Sequence, residues 1–336
     1  MLVTNYMLYD LDDITIIPAP CSEIEHRSDV NILDENNMLP IFTSPMPCVV
    51  DERTFNTYEK YGINAMIPRT VPLDNRIMHT LSGHWTAFSL DEFISTFISN
   101  KNFSYSGDGP MKVLIDIANG HMLKLHNVAK EAKDKFGDKM TLMIGNVAHP
   151  KTYKNLIDSG VDFVRLSIGT GSGCTTATNC GTFYPMASLI DECHMIRLNF
   201  NGDAPKIVAD GGLSNYRRMF KALALGADYV MLGGALSRLE DSAGEIKLID
   251  GVPHKIYYGM ASVQGQESLG KNINVPEGKM VYNEINGTIK SFTEEFTKYL
   301  QSTCSYCNAK TLKEFIGKVQ VALISQTASK QFNQKQ

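Results

Sequence analysis

Apolar runs of strand length recur along most of the chain, with amphipathic stretches filling many of the intervals between them. The runs fall at residues 39–46, 63–68, 86–90, 112–118, 141–147, 163–169, 206–209 and 229–232. Residues 128–136, 150–159, 185–198 and 215–225 carry the apolar spacing of helices packed on one face. A repeat of about 20 to 40 residues suits βα units feeding a parallel sheet. About eight such units imply a closed (β/α)₈ barrel, for which about 250 residues is typical. An open doubly wound sheet is the alternative, but no Gly-x-Gly-x-x-Gly fingerprint opens the chain and the glycine-rich turns come late. The expected organisation is a single domain over residues 1–336.

In a barrel the chemistry sits where strands end and βα loops begin. Those ends here are rich in glycine and polar residues, and Asp116, Asn119, Asn146, Cys174 and Asp210 are expected to line one rim. The sixth run leads into Ser167-Ile168-Gly169-Thr170-Gly171-Ser172-Gly173-Cys174-Thr175-Thr176. Glycines at every second position permit a tight turn with exposed amides. A cysteine at the tip of such a turn suits a nucleophile, because nearby N–H dipoles favour the thiolate. The same loop also suits gripping a phosphate, with the cysteine incidental. Asp210-Gly211-Gly212 and Gly233-Gly234 follow consecutive late strands, where backbone amides can wrap an anion. Tight turns alone would also explain those glycines.

After residue 236 the pattern loosens. Residues 244–258 read as a hairpin about Asp250-Gly251. Residues 259–279 lack periodicity and read as a mobile flap over the rim, with Glu277 beside Gly278. Helical patterns return in a C-terminal segment at about residues 288–328, within 292–300 and 309–316, and the tail from Ser329 is expected to fray.

A net charge of -4 and a pI ≈ 6.1 imply no polyanion-binding surface, so a nucleic-acid role has no support. No apolar run approaches the roughly 20 residues needed to span a bilayer. The seven scattered cysteines argue against a disulfide framework and for a reducing compartment, with the cytoplasm the expected location. Cys304-x-x-Cys307 lacks the second pair that a zinc site needs. His121 and His126 read as helix residues and His149 as the start of a helix, none of them as ligands.

Taken together, the motifs resemble the IMP dehydrogenase/GMP reductase family from about Asp10 to Lys318. They include Asp12-Asp13, His26-Arg27-Ser28, Ser44-Pro45-Met46, Asp116-Ile117-Ala118-Asn119-Gly120 and Gly145-Asn146-Val147. The cysteine loop, Ala209-Asp210-Gly211-Gly212, Met231-Leu232-Gly233-Gly234, Tyr258-Gly259-Met260-Ala261-Ser262, Glu277-Gly278-Lys279 and Ser302-Thr303-Cys304-Ser305 follow in order. The resemblance implies that Cys174 attacks C2 of the purine to form a thioimidate, with Thr176 and Glu277 as the proton-transfer pair. Ser172, Asp210, Gly211, Gly212, Gly233, Gly234, Gly259, Met260, Ala261, Glu277 and Gly278 would bind the nucleotide, Asp210 holding the ribose hydroxyls. His26, Arg27, Arg69, Asp116, Ile117, Ala118, Asn119, Ile168 and Gly169 would serve the cofactor NADPH. Ser302, Thr303, Cys304 and Ser305 would reach a neighbouring subunit's cofactor within a homotetramer. The backbone of Gly169, Gly171 and Cys174 would hold K⁺.

Within the family the chain resembles the reductase branch, whose reaction is the reductive deamination of GMP to IMP and ammonia. The dehydrogenase uses an arginine–tyrosine pair on a long flap, and residues 259–279 contain neither residue. The interval from Arg69 to Thr86 is also too short for the CBS domains usual in dehydrogenases. Pro47, Arg69 and Ala177 depart from the family's usual residues. A dehydrogenase lacking CBS domains, a non-catalytic purine-nucleotide-binding barrel, and a flavin- or phosphate-dependent barrel of another family are the alternatives.

Overall fold

The computed structural model describes residues 7–333, apart from Ser172, Lys271 and Asn274. Its strands are β1 (Ile14–Ile16), β2 (Ile41–Thr43), β3 (Met66–Ile67), β4 (Trp85–Phe88), β5 (Met111–Asp116), β6 (Met140–Val147) and β7 (Phe163–Leu166). They continue with β8 (Lys206–Asp210), β9 (Tyr229–Leu232), β10 (Ile246–Ile249), β11 (Val252–Tyr258), β12 (Met280–Glu284) and β13 (Val321–Leu323). The eight strands β2 to β9 form one parallel sheet in the order β2-β9-β8-β7-β6-β5-β4-β3. A parallel bridge from Phe42 to Asn64 joins the sheet's two ends. Each of the eight apolar runs supplies one strand, and the fold is a (β/α)₈ barrel.

Barrel strands are buried on both faces, so they read as continuous apolar runs, and alternate residues point inward and outward. Phe42, Met66, Trp85, Ala87, Leu114, Met143, Phe163, Val208, Tyr229 and Met231 form the inner cluster. Edge-to-face contacts knit its aromatic layer, Phe42 to Trp85 and Trp85 to Phe163 both at 5.3 Å. The outer faces, with Val113, Ile115, Val164 and Ile207 among them, pack into a second cluster with the surrounding helices.

Helices Leu123–Phe136, Pro150–Ile157, Met186–Leu198 and Tyr216–Leu225 follow β5, β6, β7 and β8. His149 caps the second of these by accepting from the Lys151 N–H, and Asn215 caps the fourth by accepting from that of Arg218. Helices Phe55–Lys60 and Leu90–Phe93 are too short, at six and four residues, to show a repeating apolar face, whereas Leu73–Leu81 carries a clear amphipathic pattern that was not singled out from the sequence. His121 lies in the turn before its helix rather than on it, bonded to Thr152 Oγ1 at 2.8 Å.

Beyond β9 the hairpin forms as expected and gains a third strand, β12, on β11. Residues 259–279 are not wholly irregular: Ser262 caps a helix over Val263–Ser268. The C-terminal segment is one long helix, Ile289–Tyr306, then the short Leu312–Phe315, then β13 pairing with β1. The tail does not fray at Ser329. Helix Gln326–Asn333 holds it, and the Ser329 hydroxyl donates to the Asp12 carbonyl at 2.8 Å. Among the described residues no helix is long and apolar enough to cross a membrane.

Candidate active site

Strand β7 ends at Leu166 and the chain enters the cysteine loop. The Cys174 N–H donates to the Gly171 carbonyl at 3.0 Å, curling the backbone so that the half-buried thiol stands at the start of helix Thr176–Cys180. The Cys174 thiol donates to Thr176 Oγ1 at 3.3 Å, and Thr176 Oγ1 donates to Glu277 Oε2 at 2.7 Å. Thiol, hydroxyl and carboxylate thus form a continuous proton path from the Cys174 sulfur to Glu277, which lies 101 residues beyond Thr176 in sequence.

Backbone contacts fix that path. The Thr175 N–H donates to the Glu277 carbonyl at 2.9 Å and the Lys279 N–H to the Gly173 carbonyl at 3.0 Å. The Glu277 N–H donates to the Ala261 carbonyl at 3.1 Å. Cys174 and Gly278 form an antiparallel bridge, so the flap lies on the loop like a short strand. Only glycine fits this seam. A Cβ on Gly278 would stand 2.9 Å from the Ser262 nitrogen and 3.0 Å from the Gly173 oxygen, and one on Gly259 would stand 2.9 Å from the same oxygen.

Beside the cysteine, the inward positions two residues beyond the apolar layer are polar. Asp116 follows Leu114, Arg165 follows Phe163 and Asp210 follows Val208. Arg165 Nη1 reaches Asp116 Oδ1 at 2.7 Å, while Nε and Nη2 both reach Asp210 Oδ2 at 2.8 Å. Arg69 Nη1 donates to the Asp116 carbonyl at 3.0 Å, and Asn146 Nδ2 to Asp210 Oδ2 at 3.2 Å. Burial opposes the charge on Arg165, but the carboxylates of Asp210 and Asp116 outweigh it and hold its pKa above the ordinary value. A Cβ on Gly145 would come 2.4 Å from the Arg165 Cβ, so glycine there makes room for the guanidinium stem. Arg165 is the residue sequence reasoning missed. Its signal was a charge at an inward-facing position of an otherwise apolar strand.

The glycine turns close around the same centre. Gly211 and Gly212 have φ of 89° and 72°, and a Cβ on Gly211 would lie 2.5 Å from Thr170 Oγ1. Gly233 abuts Ser44, Met46 and the Tyr257 hydroxyl, and Gly234 accepts from Ser237 Oγ at 3.0 Å. Ile117 and Ile168 are half-buried, whereas Ala118 and Asn119 are exposed after β5. Met260 and Ala261 form the turn that receives Glu277. Ser172 lies outside the described residues.

A profile of the IMP dehydrogenase / GMP reductase domain matches residues 110–334. The chain belongs to that family. A GMP reductase of Onchocerca volvulus is 31% identical over 98% of this chain and 94% of its own length. A GMP reductase of Vibrio vulnificus (strain YJ016) is 31% identical over 87% of this chain and 88% of its own. GMP reductase 2 of Mus musculus is 32% identical over 67% of this chain, a match that spans 64% of the mouse protein.

The groups that the family resemblance assigns to the cofactor fall in two places. Arg69 and Asp116 to Asn119 belong to the rim, and Arg69 Nε is a buried donor with no hydrogen-bond partner among the described residues, as a site awaiting a polar ligand would leave it. His26 and Arg27 are exposed on a turn packed against the end of helix Ile289–Tyr306, where the Ser22 hydroxyl donates to the Ser305 carbonyl and Gln301 to the Val30 carbonyl. Ser302, Thr303 and Ser305 are half-buried there. Cys304 instead faces the chain's own core, where burial pushes its thiol up to about 12. The carbonyl oxygens of Gly169, Gly171 and Cys174 are a donor type that suits a hard cation, and that of Gly171 also accepts from Cys174. No cluster of histidine, cysteine and acidic side chains able to hold a metal ion occurs among the described residues.

Proposed function

We propose that the protein is a GMP reductase, converting GMP to IMP and ammonia at the expense of NADPH. The observation that carries this reading is the hydrogen-bonded chain Cys174–Thr176–Glu277, held by the flap seam. Nucleotide binding alone needs none of the three. The GMP reductases among the relatives support the same choice of substrate.

The Cys174 thiol passes its proton through Thr176 to Glu277, and the thiolate adds to C2 of the purine. Glu277, now protonated, returns a proton through Thr176 to the departing nitrogen, so that the C2–N bond breaks and ammonia leaves. A reduced nicotinamide, when bound, would supply the hydride that replaces sulfur at C2, the sulfur leaving as the thiolate. Arg69, Asp116 to Asn119, Ile168 and Gly169 would hold it at the rim. The Asp210 carboxylate takes the ribose hydroxyls, and the amides of Gly211, Gly212, Gly233 and Gly234, with Ser172, take the 5′-phosphate. Gly259, Met260, Ala261 and Gly278 face the base. The carbonyls of Gly169, Gly171 and Cys174 would hold K⁺ under the loop. In a homotetramer, His26, Arg27, Ser302, Thr303 and Ser305 would reach a neighbouring subunit's cofactor, while Cys304 stays in the chain's own core.

Paired absorbance assays test this. NADPH consumption with GMP, and no NAD reduction with IMP, is expected. NAD reduction with IMP would instead make the protein a dehydrogenase that lacks the arginine–tyrosine pair. Silence in both assays with GMP still bound would leave a nucleotide-binding barrel.

A further inference from the structure

The cysteine path leaves unused a buried charge at the barrel rim, Arg165. Arg165 is 8% exposed and stands between two carboxylates given to different ligands, Asp116 on the nicotinamide side and Asp210 on the ribose side. A guanidinium can bind two carboxylates at once because its donors lie in a rigid planar fork. Here one edge, Nε and Nη2, meets Asp210 and the remaining Nη1 meets Asp116. No flexible ammonium could hold both in fixed orientation.

The asymmetry of these contacts matters. Every donor reaching Asp210 ends on Oδ2: Arg165 Nε, Arg165 Nη2 and Asn146 Nδ2. Oδ1 has no protein partner among the described residues, and the carboxylate, 8% exposed, can turn little without breaking three contacts. Asp210 therefore keeps one carboxylate oxygen as an acceptor not taken by the described protein groups, and the carboxylate's orientation is set by Arg165. Asp116 is tied to the same guanidinium, so a shift of either carboxylate moves the fork and is felt by the other.

The geometry points to Arg165 as a positioning residue that makes Asp210 select a ribose diol and couples sugar binding to cofactor binding. This deepens the GMP reductase reading and rests on it. Arg165 acts through the two aspartates that it contacts. A purine ribonucleotide is then preferred over its 2′-deoxy form, because the fixed oxygen finds one hydroxyl fewer in the latter.

The test measures kcat and KM for GMP, 2′-deoxy-GMP and NADPH in the wild-type protein and in Arg165→Lys. Lysine keeps the positive charge but contacts one carboxylate as a point charge. The wild type is expected to favour GMP by about tenfold or more, the worth of a hydrogen bond to a charged group. Arg165→Lys should bring the two substrates to near parity and raise KM for NADPH in step, with kcat for 2′-deoxy-GMP little changed. A merely structural role would lower both substrates' kcat/KM alike and keep their ratio. An unchanged ratio in a folded Arg165→Lys protein overturns the proposal, as does equal use of the two nucleotides by the wild type. Should Arg165→Lys fail to fold, Asp116→Asn carries the same test from the cofactor side. It is expected to reduce the preference for GMP, and a preserved preference overturns the coupling. A wild-type protein inactive on GMP would instead strike the functional reading itself.

Discussion

Cys174, Thr176 and Glu277 differ in what each must supply, so their substitutions should separate. On the proposed mechanism, Cys174→Ala removes the nucleophile while leaving the backbone contacts of the glycine loop in place. Turnover should vanish while GMP still binds by calorimetry; retained turnover would exclude a covalent path. Glu277→Gln keeps the shape and its hydrogen bond to Thr176 Oγ1 but cannot take the thiol proton or return it. General acid–base groups typically contribute about 10²–10⁴-fold, and a loss of that order is expected in ammonia release, with GMP affinity changed far less. An unaltered deamination step in Glu277→Gln would remove that residue from proton transfer. At this scale the sequence exposes the cysteine, because a glycine-rich loop advertises it. It conceals Arg165, because a charge within a short apolar strand shows its meaning only when the inward register is known.

Elements carry two further consequences. The flap reaches the cysteine loop through the seam at Gly278, whose missing side chain is what lets the two backbones meet. Gly278→Ala should cut kcat strongly and leave thermal stability close to wild type, since the flap lies outside the barrel core. Equal kcat would mean that the seam is not needed for turnover. The second concerns helix Leu90–Phe93, where Ser89 and Glu92 form reciprocal cap bonds. Arg76, buried on helix Leu73–Leu81, binds the same Glu92 carboxylate and ties this cap to the preceding βα unit. Burial alone would raise the Glu92 pKa; the Arg76 guanidinium and the Ser89 backbone N–H outweigh it and lower it to about 2. Because the folded value lies below the ordinary 4.5, this pair stabilises the fold above about pH 4.5, and the stabilisation fades as pH falls toward 2. Glu92→Gln should therefore melt below wild type at pH 7, with the gap closing between pH 4.5 and pH 2. A constant gap would show that the charge plays no part. Helix Leu90–Phe93 was hard to read in sequence because a capping box and a buried ion pair, rather than an apolar stripe, define it.

For the molecule as a whole, the barrel was legible because every strand is buried on both faces and so announces itself as an apolar run. The additions outside the barrel were less so. Strand β12 and helix Val263–Ser268 are short and half-exposed; pairing with β11 forms the strand, and the Ser262 cap starts the helix. What the additions leave uncovered bears on assembly. Ile246 and Leu248 alternate onto one face of β10, exposed, with Val252 across the turn also exposed. Tyr299, Tyr306 and Leu323 are exposed on the C-terminal segment. Single exposed apolar residues need no partner, but two such groups on elements appended to a well-packed barrel are the kind of surface that an oligomer covers. The same C-terminal helix carries Ser302, Thr303 and Ser305 beside His26 and Arg27, so burying it against a second copy is how those side chains would come to that copy's rim. We therefore expect a homotetramer, with a light-scattering mass four times the 37.3 kDa of the chain. Replacing both Ile246 and Leu248 with lysine should dissociate it while leaving each barrel folded, because neither side chain enters the barrel core. Activity should then fall through a rise in KM for NADPH more than for GMP, since the neighbour's contribution is to the cofactor. A wild-type monomer at micromolar concentration would refute the assembly, and a dissociated variant with unchanged KM for NADPH would refute the shared site.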